Sequence, residues 1–283
     1  MKIHVSMLSS YLYCPRKLFL QQVLALEELP KESILLGTLR HEVYNSINKQ
    51  EEKIAVSIAE NSDYNKILSS YIKKYSKTLR EKIIKNSIKL KAFNLKLADI
   101  FKDVWGTLSL EAESRAKNIF NFVQQHNIYG KELWEKLTPK IVSELRIDSE
   151  TLELIGIIDR IEMHENNYIP IELKTGKAPK EGIWHSHRIQ LAAYALLLEE
   201  KFQKPINKAM VYYLDAREIR QITINPFMKD EIMDLINKVK ELLKSHYVPA
   251  YCENRNKCAG CSLKETCYSD ETITVLLSEI NKN

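Results

Sequence analysis

The chain has no apolar run long enough to cross a bilayer. Its longest, Leu191 to Leu198, falls far short of the roughly 20 residues a spanning helix needs and is interrupted by Tyr194. The opening residues MKIHVSMLSS lack the continuous apolar segment and small-residue cleavage site of a secretory signal, so the expected location is the cytoplasm, with no membrane contact. Internal repeats and low-complexity linkers are also missing, which sets aside solenoids and tethered arrays. Only five cysteines occur in 283 residues. In a reducing compartment they point to metal or redox chemistry rather than to disulfides. A chain of this length buries a real core without such staples, as one large domain or two small ones.

What is present is ordinary for a folded protein. Hydrophobic residues make up 45% and charged residues 28% of the chain, outside the disordered regime. The net charge of +5 tilts weakly toward a polyanionic partner. Leu8, Leu12, Leu18 and Phe19 predict one short helix over 6–22 that carries Cys14. A second helix begins near Ser33, with Leu36, Leu39, Val43, Tyr44 and Ile47 on one face, and carries Gly37 and His41 on neighbouring turns. Between 51 and 140, apolar residues recur every three or four positions, as in Ile67, Tyr71, Tyr75 and Leu79, so several amphipathic helices are expected. The basic residues Lys73, Lys74, Lys77, Arg80, Lys82 and Lys85 among them read as a solvated face before they read as a DNA surface.

The character changes at Ile141. Three short runs rich in Ile, Leu and Val, over 141–147, 152–161 and 168–174, predict successive strands of a meander. A helix over 184–202, a strand over 209–214, a short strand over 222–224 and a helix from Pro226 to about Ser245 follow. The expected class is therefore α/β. On the third strand, alternation puts Glu172 and Lys174 on one face and Ile169, Ile171 and Leu173 on the other. The second strand carries Asp159, close to Glu172 if the two strands pair. Two carboxylates with an open coordination shell suit Mg²⁺ or Mn²⁺. Alone, a Glu-x-Lys on a strand is a surface ion pair by default, and a histidine on an amphipathic helix is a core or surface residue. Gln190 and Tyr194 stand four apart on the next helix, where an amide and a phenol share one face and can hydrogen-bond a DNA backbone or line a site wall.

In order, the chain supplies Gly37-x-x-x-His41, Glu144, Gly156-x-x-Asp159, Glu172-Leu173-Lys174 and Gln190-x-x-x-Tyr194. This series resembles the RecB-like branch of the PD-(D/E)XK nucleases. The resemblance implies a metal held by His41, Asp159, Glu172 and the carbonyl of Leu173. It also implies catalytic roles for Asp159, Glu172, Lys174, Gln190 and Tyr194, with Lys174 placing or activating the attacking water. Glu144 is expected further out, orienting other groups.

The tail reads Cys252-x5-Cys258-x2-Cys261-x5-Cys267, and Cys14 sits in Cys14-Pro15-Arg16 at the other end. Zinc and iron-sulfur clusters both take four thiolates, so spacing leaves open a zinc knuckle of the four tail cysteines. The pattern of Cys-Pro-Arg near one end and Cys-x2-Cys-x5-Cys near the other is similar to the CRISPR-associated RecB-like exonucleases. That likeness implies an iron-sulfur cluster, 4Fe-4S by type, held by Cys14, Cys258, Cys261 and Cys267, with Cys252 unmatched. It implies a restriction-endonuclease-like (PD-(D/E)XK) core, a helical insertion and an iron-sulfur subdomain built from both chain ends. The boundaries are 1–32 for the N-terminal part of that subdomain, 33–50 for the helix with the histidine motif and 51–140 for the insertion. They continue with 141–248 for the nuclease core, 249–275 for the cysteine-rich tail and 276–283 for the C-terminal end. Related helicase-nucleases share such staples, but no G-x-x-x-x-G-K-[ST] loop is present, so no motor is expected.

The implied function is metal-dependent hydrolysis of DNA at single-stranded ends or overhangs, trimming fragments for CRISPR spacer acquisition alongside the integrase proteins. Homo-oligomerisation stays open. The alternatives are a repair or mobile-element exonuclease without a CRISPR role, and a non-catalytic DNA-binding scaffold.

Overall fold

The computed structural model describes residues 1–28, 30–245 and 247–280; of the C-terminal end, 281–283 lie outside the described residues. The chain begins with β1 (Ile3–His4), α1 (Val5–Tyr13), α2 (Pro15–Gln22) and α3 (Glu32–Asn48). Five helices follow: α4 (Glu51–Val56), α5 (Tyr64–Lys85), α6 (Ser87–Ala92), α7 (Leu97–His126) and α8 (Gly130–Lys136). Next come β2 (Lys140–Ser149), β3 (Leu154–Met163), β4 (Tyr168–Lys174), α9 (His185–Phe202), β5 (Lys208–Tyr213), β6 (Glu218–Thr223) and α10 (Pro226–Lys244). The tail forms α11 (Arg255–Ala259), α12 (Lys264–Cys267) and α13 (Asp270–Ile280).

The expected helix over 6–22 is two helices. Pro15 disfavours helical backbone at the residue before it, and Cys14 is extended, with φ −166° and ψ 108°. The break turns Cys14 into the N-cap of α2, where its sulfur accepts the Lys17 N–H at 3.4 Å. Strand β6 is longer than its sequence signal, because β5 offers it partners from Glu218 to Thr223. Strand β1, too short to show any periodicity, pairs in parallel with the start of β3.

Six strands form one sheet in the order β1-β3-β4-β5-β6, with β2 on the other edge of β3. The meander β2-β3-β4 is antiparallel, and α9 carries the chain back so that β5 runs parallel to β4. One face packs on α1, α9 and α10 through Ile158, Val211, Ile189, Leu197 and Ile236. The other packs on α3 and the helices after it through Ile169, Ile171, Leu173, Val43 and Leu108. A third small core, with Phe19, Leu20, Leu24, Leu263 and Ile273, joins α2 to the tail.

Buried charge fastens the helices to the sheet. Arg115 of α7 contacts Glu51 of α4 and Glu111 of its own helix, each at 2.7 Å, and Glu111 also receives Arg160 of β3 at 2.8 Å. Tyr71 of α5 donates to Glu51 at 2.6 Å. Burial works against the Glu111 carboxylate, yet Arg160 and Arg115 outweigh it and hold its pKa at about 2. No helix among the described residues is long and apolar enough to cross a membrane.

Candidate active site

Strands β3 and β4 pair only from Arg160 to Met163 against Tyr168 to Ile171. Beyond Ile171, β4 continues beside β5 alone, and the parting strands leave a fork with Asp159 on one prong and Glu172 on the other. The Leu173 N–H donates across the gap to Asp159 Oδ2 at 2.8 Å, which fixes that carboxylate.

Helix α3 lies over the fork. Gly37 permits this approach, because a Cβ there would stand 3.3 Å from Thr175 Oγ1. One turn later, His41 Nδ1 lies 3.3 Å from Asp159 Oδ1. Between the pairs Ser143–Arg160 and Leu145–Ile158 of the hairpin, Glu144 faces Asp159. Its φ of 53° lies in the left-handed region, which costs a non-glycine residue roughly 1–3 kcal/mol and is often found at functional sites. His41, Glu144 and Asp159 each bring a ligand atom within 4.8 Å of the others. All three line an open cleft with Gly37, Arg40 and Ile157.

Behind this trio, Glu172 and Lys174 project toward α9. Lys174 Nζ lies 2.8 Å from Glu172 Oε1 and donates to Gln190 Oε1 at 2.9 Å. Gln190 Nε2 donates to Glu172 Oε1 at 2.7 Å and to the Tyr194 hydroxyl at 2.9 Å, and that hydroxyl donates to the Ile157 carbonyl at 2.9 Å. Tyr194 can lie this close to β3 because Gly156 has no side chain: a Cβ would fall 2.5 Å from Leu197 Cδ1 and 3.2 Å from the Tyr194 ring.

The charges are unbalanced toward the negative. Burial and the charge of Asp159 push the Glu172 carboxyl up to about 8, against the pull of Lys174. Its Oε2 is buried and, among the described residues, has no hydrogen-bond partner. Burial disfavours a charged His41, but the hydrogen bond and charge of Asp159 overcome that and raise its pKa. Burial and Asp159 likewise raise Glu144. A divalent cation would reverse the situation at both glutamates. Carboxylate oxygens with one imidazole, and a buried oxygen left without a partner, fit a hard ion of the Mg²⁺ or Mn²⁺ type.

The residues expected from sequence are thus brought to one place, but in two layers. His41 and Asp159 converge in the cleft, whereas Glu172 stands behind them and Leu173 is seen through its N–H. Gln190 and Tyr194, 7% and 4% exposed, hold the acid and the lysine rather than present their polar groups to a backbone. Glu144 stands closer than expected; the register of the β2–β3 hairpin carries that signal. His187 had no sequence signal of its own. Its Nδ1 meets the Tyr213 hydroxyl at 3.1 Å, and burial, with Lys174 nearby, lowers its pKa to about 4.

The five cysteines form a second centre. Cys14, Cys252, Cys258, Cys261 and Cys267 all border one small pocket, and none is in a disulfide. Burial raises the thiols of Cys14 and Cys267, opposed by the Lys17 N–H and by Arg16 respectively. An all-thiol donor set fits zinc or an iron-sulfur cluster. Cys252, unmatched by the sequence pattern, borders the same cavity as the rest.

A mixed sheet that forks at Asp159 and Glu172, with Lys174 beside the second acid and a helix covering the split, defines a class of phosphodiester-cleaving folds. The model of the PD-(D/E)XK nuclease superfamily matches residues 3–268, and the chain belongs to that family. It is 32% identical over 161 residues to a CRISPR-associated exonuclease Cas4/endonuclease Cas1 fusion of Leptospira interrogans, covering 53% of this chain and 29% of that protein. A CRISPR-associated exonuclease Cas4 of Rhodospirillum rubrum is 28% identical over 130 residues, covering 45% of this chain and 39% of that one. The DNA replication ATP-dependent helicase/nuclease JHS1 of Arabidopsis thaliana aligns with 90% of this chain at 24% identity, across 19% of its own length. The chain therefore spans well under half of each of these relatives.

Proposed function

We propose that this chain is a divalent-metal-dependent deoxyribonuclease that trims single-stranded DNA ends for CRISPR spacer acquisition. The observation that carries this reading is the buried, unpartnered Oε2 of Glu172 at a fork where acids outnumber the local cations. Such a group is costly unless a cation completes it. His41, Asp159, Glu172 and the Leu173 carbonyl would hold the metal, with Glu144 in reach. Bound there, the ion supplies a water of lowered pKa and neutralises phosphate charge. The remaining work belongs to the protein. Lys174 keeps a positive charge beside the oxygens on which negative charge builds. Gln190 locks Lys174 and Glu172 in register, and Tyr194 ties Gln190 to the Ile157 carbonyl. End-labelled single-stranded and duplex DNA, incubated with Mn²⁺, Mg²⁺ or chelator, tests the reading. Cleavage should need the metal and favour single strands; metal-independent cleavage, or equal rates on blunt duplex, would count against it.

The partner reading rests on the Leptospira relative, in which a Cas4 exonuclease and a Cas1 endonuclease share one polypeptide. By that analogy the chain associates with a CRISPR integrase, and co-sedimentation with the integrase of the same genome tests it. The long match to the Arabidopsis helicase/nuclease favours the second reading, a repair exonuclease without a CRISPR role, which failure of that association would support.

The cysteine centre is read as an iron-sulfur cluster on Cys14, Cys258, Cys261 and Cys267. Four thiolates on one zinc, at about 2.3 Å each, stand only about 3.8 Å apart. Among the described residues no three cysteine sulfurs lie within 4.8 Å of one another, wider than one zinc would draw its four thiolates. Anaerobically purified protein should be brown, and Cys14→Ala should bleach it while Cys252→Ala should not.

A further inference from the structure

Arg16 is a charged residue in a place where charge is costly, since it is only 6% exposed and, among the described residues, no carboxylate pairs with it. Its guanidinium is spent on the opposite end of the chain instead. Nη1 donates to the Pro249 carbonyl at 2.8 Å, Nη2 to the Cys267 carbonyl at 2.9 Å, and Nε to Cys267 Sγ at 3.2 Å. The plane lies over the Tyr251 ring, 3.9 Å from its centroid, and Tyr251 in turn stacks on Tyr268. Two carbonyls and an aromatic face would suffice to clamp the termini. The third donor goes to a sulfur, and the adjoining Lys17 N–H goes to the sulfur of Cys14. One short segment, Cys14 to Lys17, thus supplies a donor to a thiol from each end of the chain.

We infer that Arg16 sets the reduction potential of the cluster by donating a charge-assisted hydrogen bond to the Cys267 sulfur; the inference rests on the four-cysteine cluster reading given above. Adding an electron places more negative charge on the cluster sulfurs. A fixed cationic donor at one of them stabilises the reduced form more than the oxidised one. Arg16 is a positioning residue in this account and binds no iron.

The test uses the full chain, purified anaerobically, with iron content, melting temperature and midpoint potential by dithionite titration measured together. Arg16→Gln should keep its colour and shift the potential negative, Arg16→Lys should shift it less, and Tyr251→Leu should lower the melting temperature with the potential unmoved. If both Arg16 variants melt earlier at the parental potential, Arg16 is only a clamp and the inference falls. Should both variants lose iron, the parent decides: pulsed EPR of reduced protein carrying ¹⁵N-labelled arginine should detect an arginine nitrogen coupled to the cluster, and no coupling overturns the inference. A parent without iron overturns the cluster reading, and the role of Arg16 with it, a result that the colourless protein makes distinct from all the others.

Discussion

Two buried groups of acids in this molecule behave in opposite ways. Glu111, among the helices, faces Arg115 and Arg160 and is held at about 2. Glu172, at the strand fork, is as deeply buried but shares its space with Asp159 and is pushed up to about 8. Chemistry and burial are the same, so the difference lies in whether the fold carries its own counter-charge. The helical network brings its cations within the chain, and the atoms left without a partner there, Arg160 Nε and Asn48 Nδ2 among the described residues, are donors rather than carboxylate oxygens. The fork has one lysine for its acids and leaves an oxygen without a partner. An acid of the first kind holds structure together, and one of the second kind is what a cation from solution would complete.

Substitutions can break this contrast. The largest effect is expected at the fork: Glu172→Ala or Lys174→Ala should lower kcat for single-stranded DNA at least about 10³-fold while circular dichroism shows the fold retained. A variant that digests at the parental rate would remove the residue from the site. In the helical network the pattern should invert. Arg115→Leu leaves Glu51 buried without its cation and Glu111 with Arg160 alone, and should cost about 3–5 kcal/mol of stability, read by urea denaturation, with little change in cleavage per folded molecule.

The pH response sharpens the same comparison. Without metal, the folded Glu172 has a pKa above its unfolded value of 4.5, so its contribution to stability is full below about pH 4.5. That contribution is lost as pH rises toward 8, because only the unfolded chain ionises freely in that window. Metal-free protein should therefore melt progressively earlier from pH 4.5 to 8 relative to Glu172→Gln, and saturating Mn²⁺ should cancel the trend. Glu111, depressed rather than raised, contributes stability that is present above its unfolded value and lost only as pH falls through about 2. The smallest effect is expected at Tyr194→Phe, which removes the hydroxyl from Gln190 and Ile157 but leaves the ring. A loss of about tenfold in kcat, near the 1.4 kcal/mol of one good hydrogen bond, with an unchanged metal requirement, would match its place one step behind the acid.

Much of this arrangement was legible in the sequence because its signals are local. Alternation along 168–174 put Glu172 and Lys174 on one face, and four-residue spacing put Gln190 beside Tyr194. The layering was not legible. Whether Glu144 or Glu172 stands nearest His41 depends on the register of β2 on β3 and on where β3 and β4 part, both properties of a ladder rather than of a strand. Gly156 shows the same limit. Its necessity comes from Leu197 and Tyr194, some 40 residues away in sequence, and no local pattern announces it. The break at Cys14 was written in Pro15, but the helical spacing on both sides of it hides the interruption. The Arg115 network was hidden for a simpler reason: in sequence, Glu111 and Arg115 look like any exposed i,i+4 pair.

On this reading the fork is an incomplete charge cluster that a divalent ion would finish. Binding of Mn²⁺ to this chain, followed by EPR of the free ion, tests it without any DNA. The parent should bind Mn²⁺ with release of protons at pH 7, and Asp159→Asn or Glu172→Gln should weaken that binding at least about tenfold, while Arg16→Gln should leave it unchanged. Equal Mn²⁺ affinity in the parent and in both carboxamide variants would show that the acids at the fork are not a metal site.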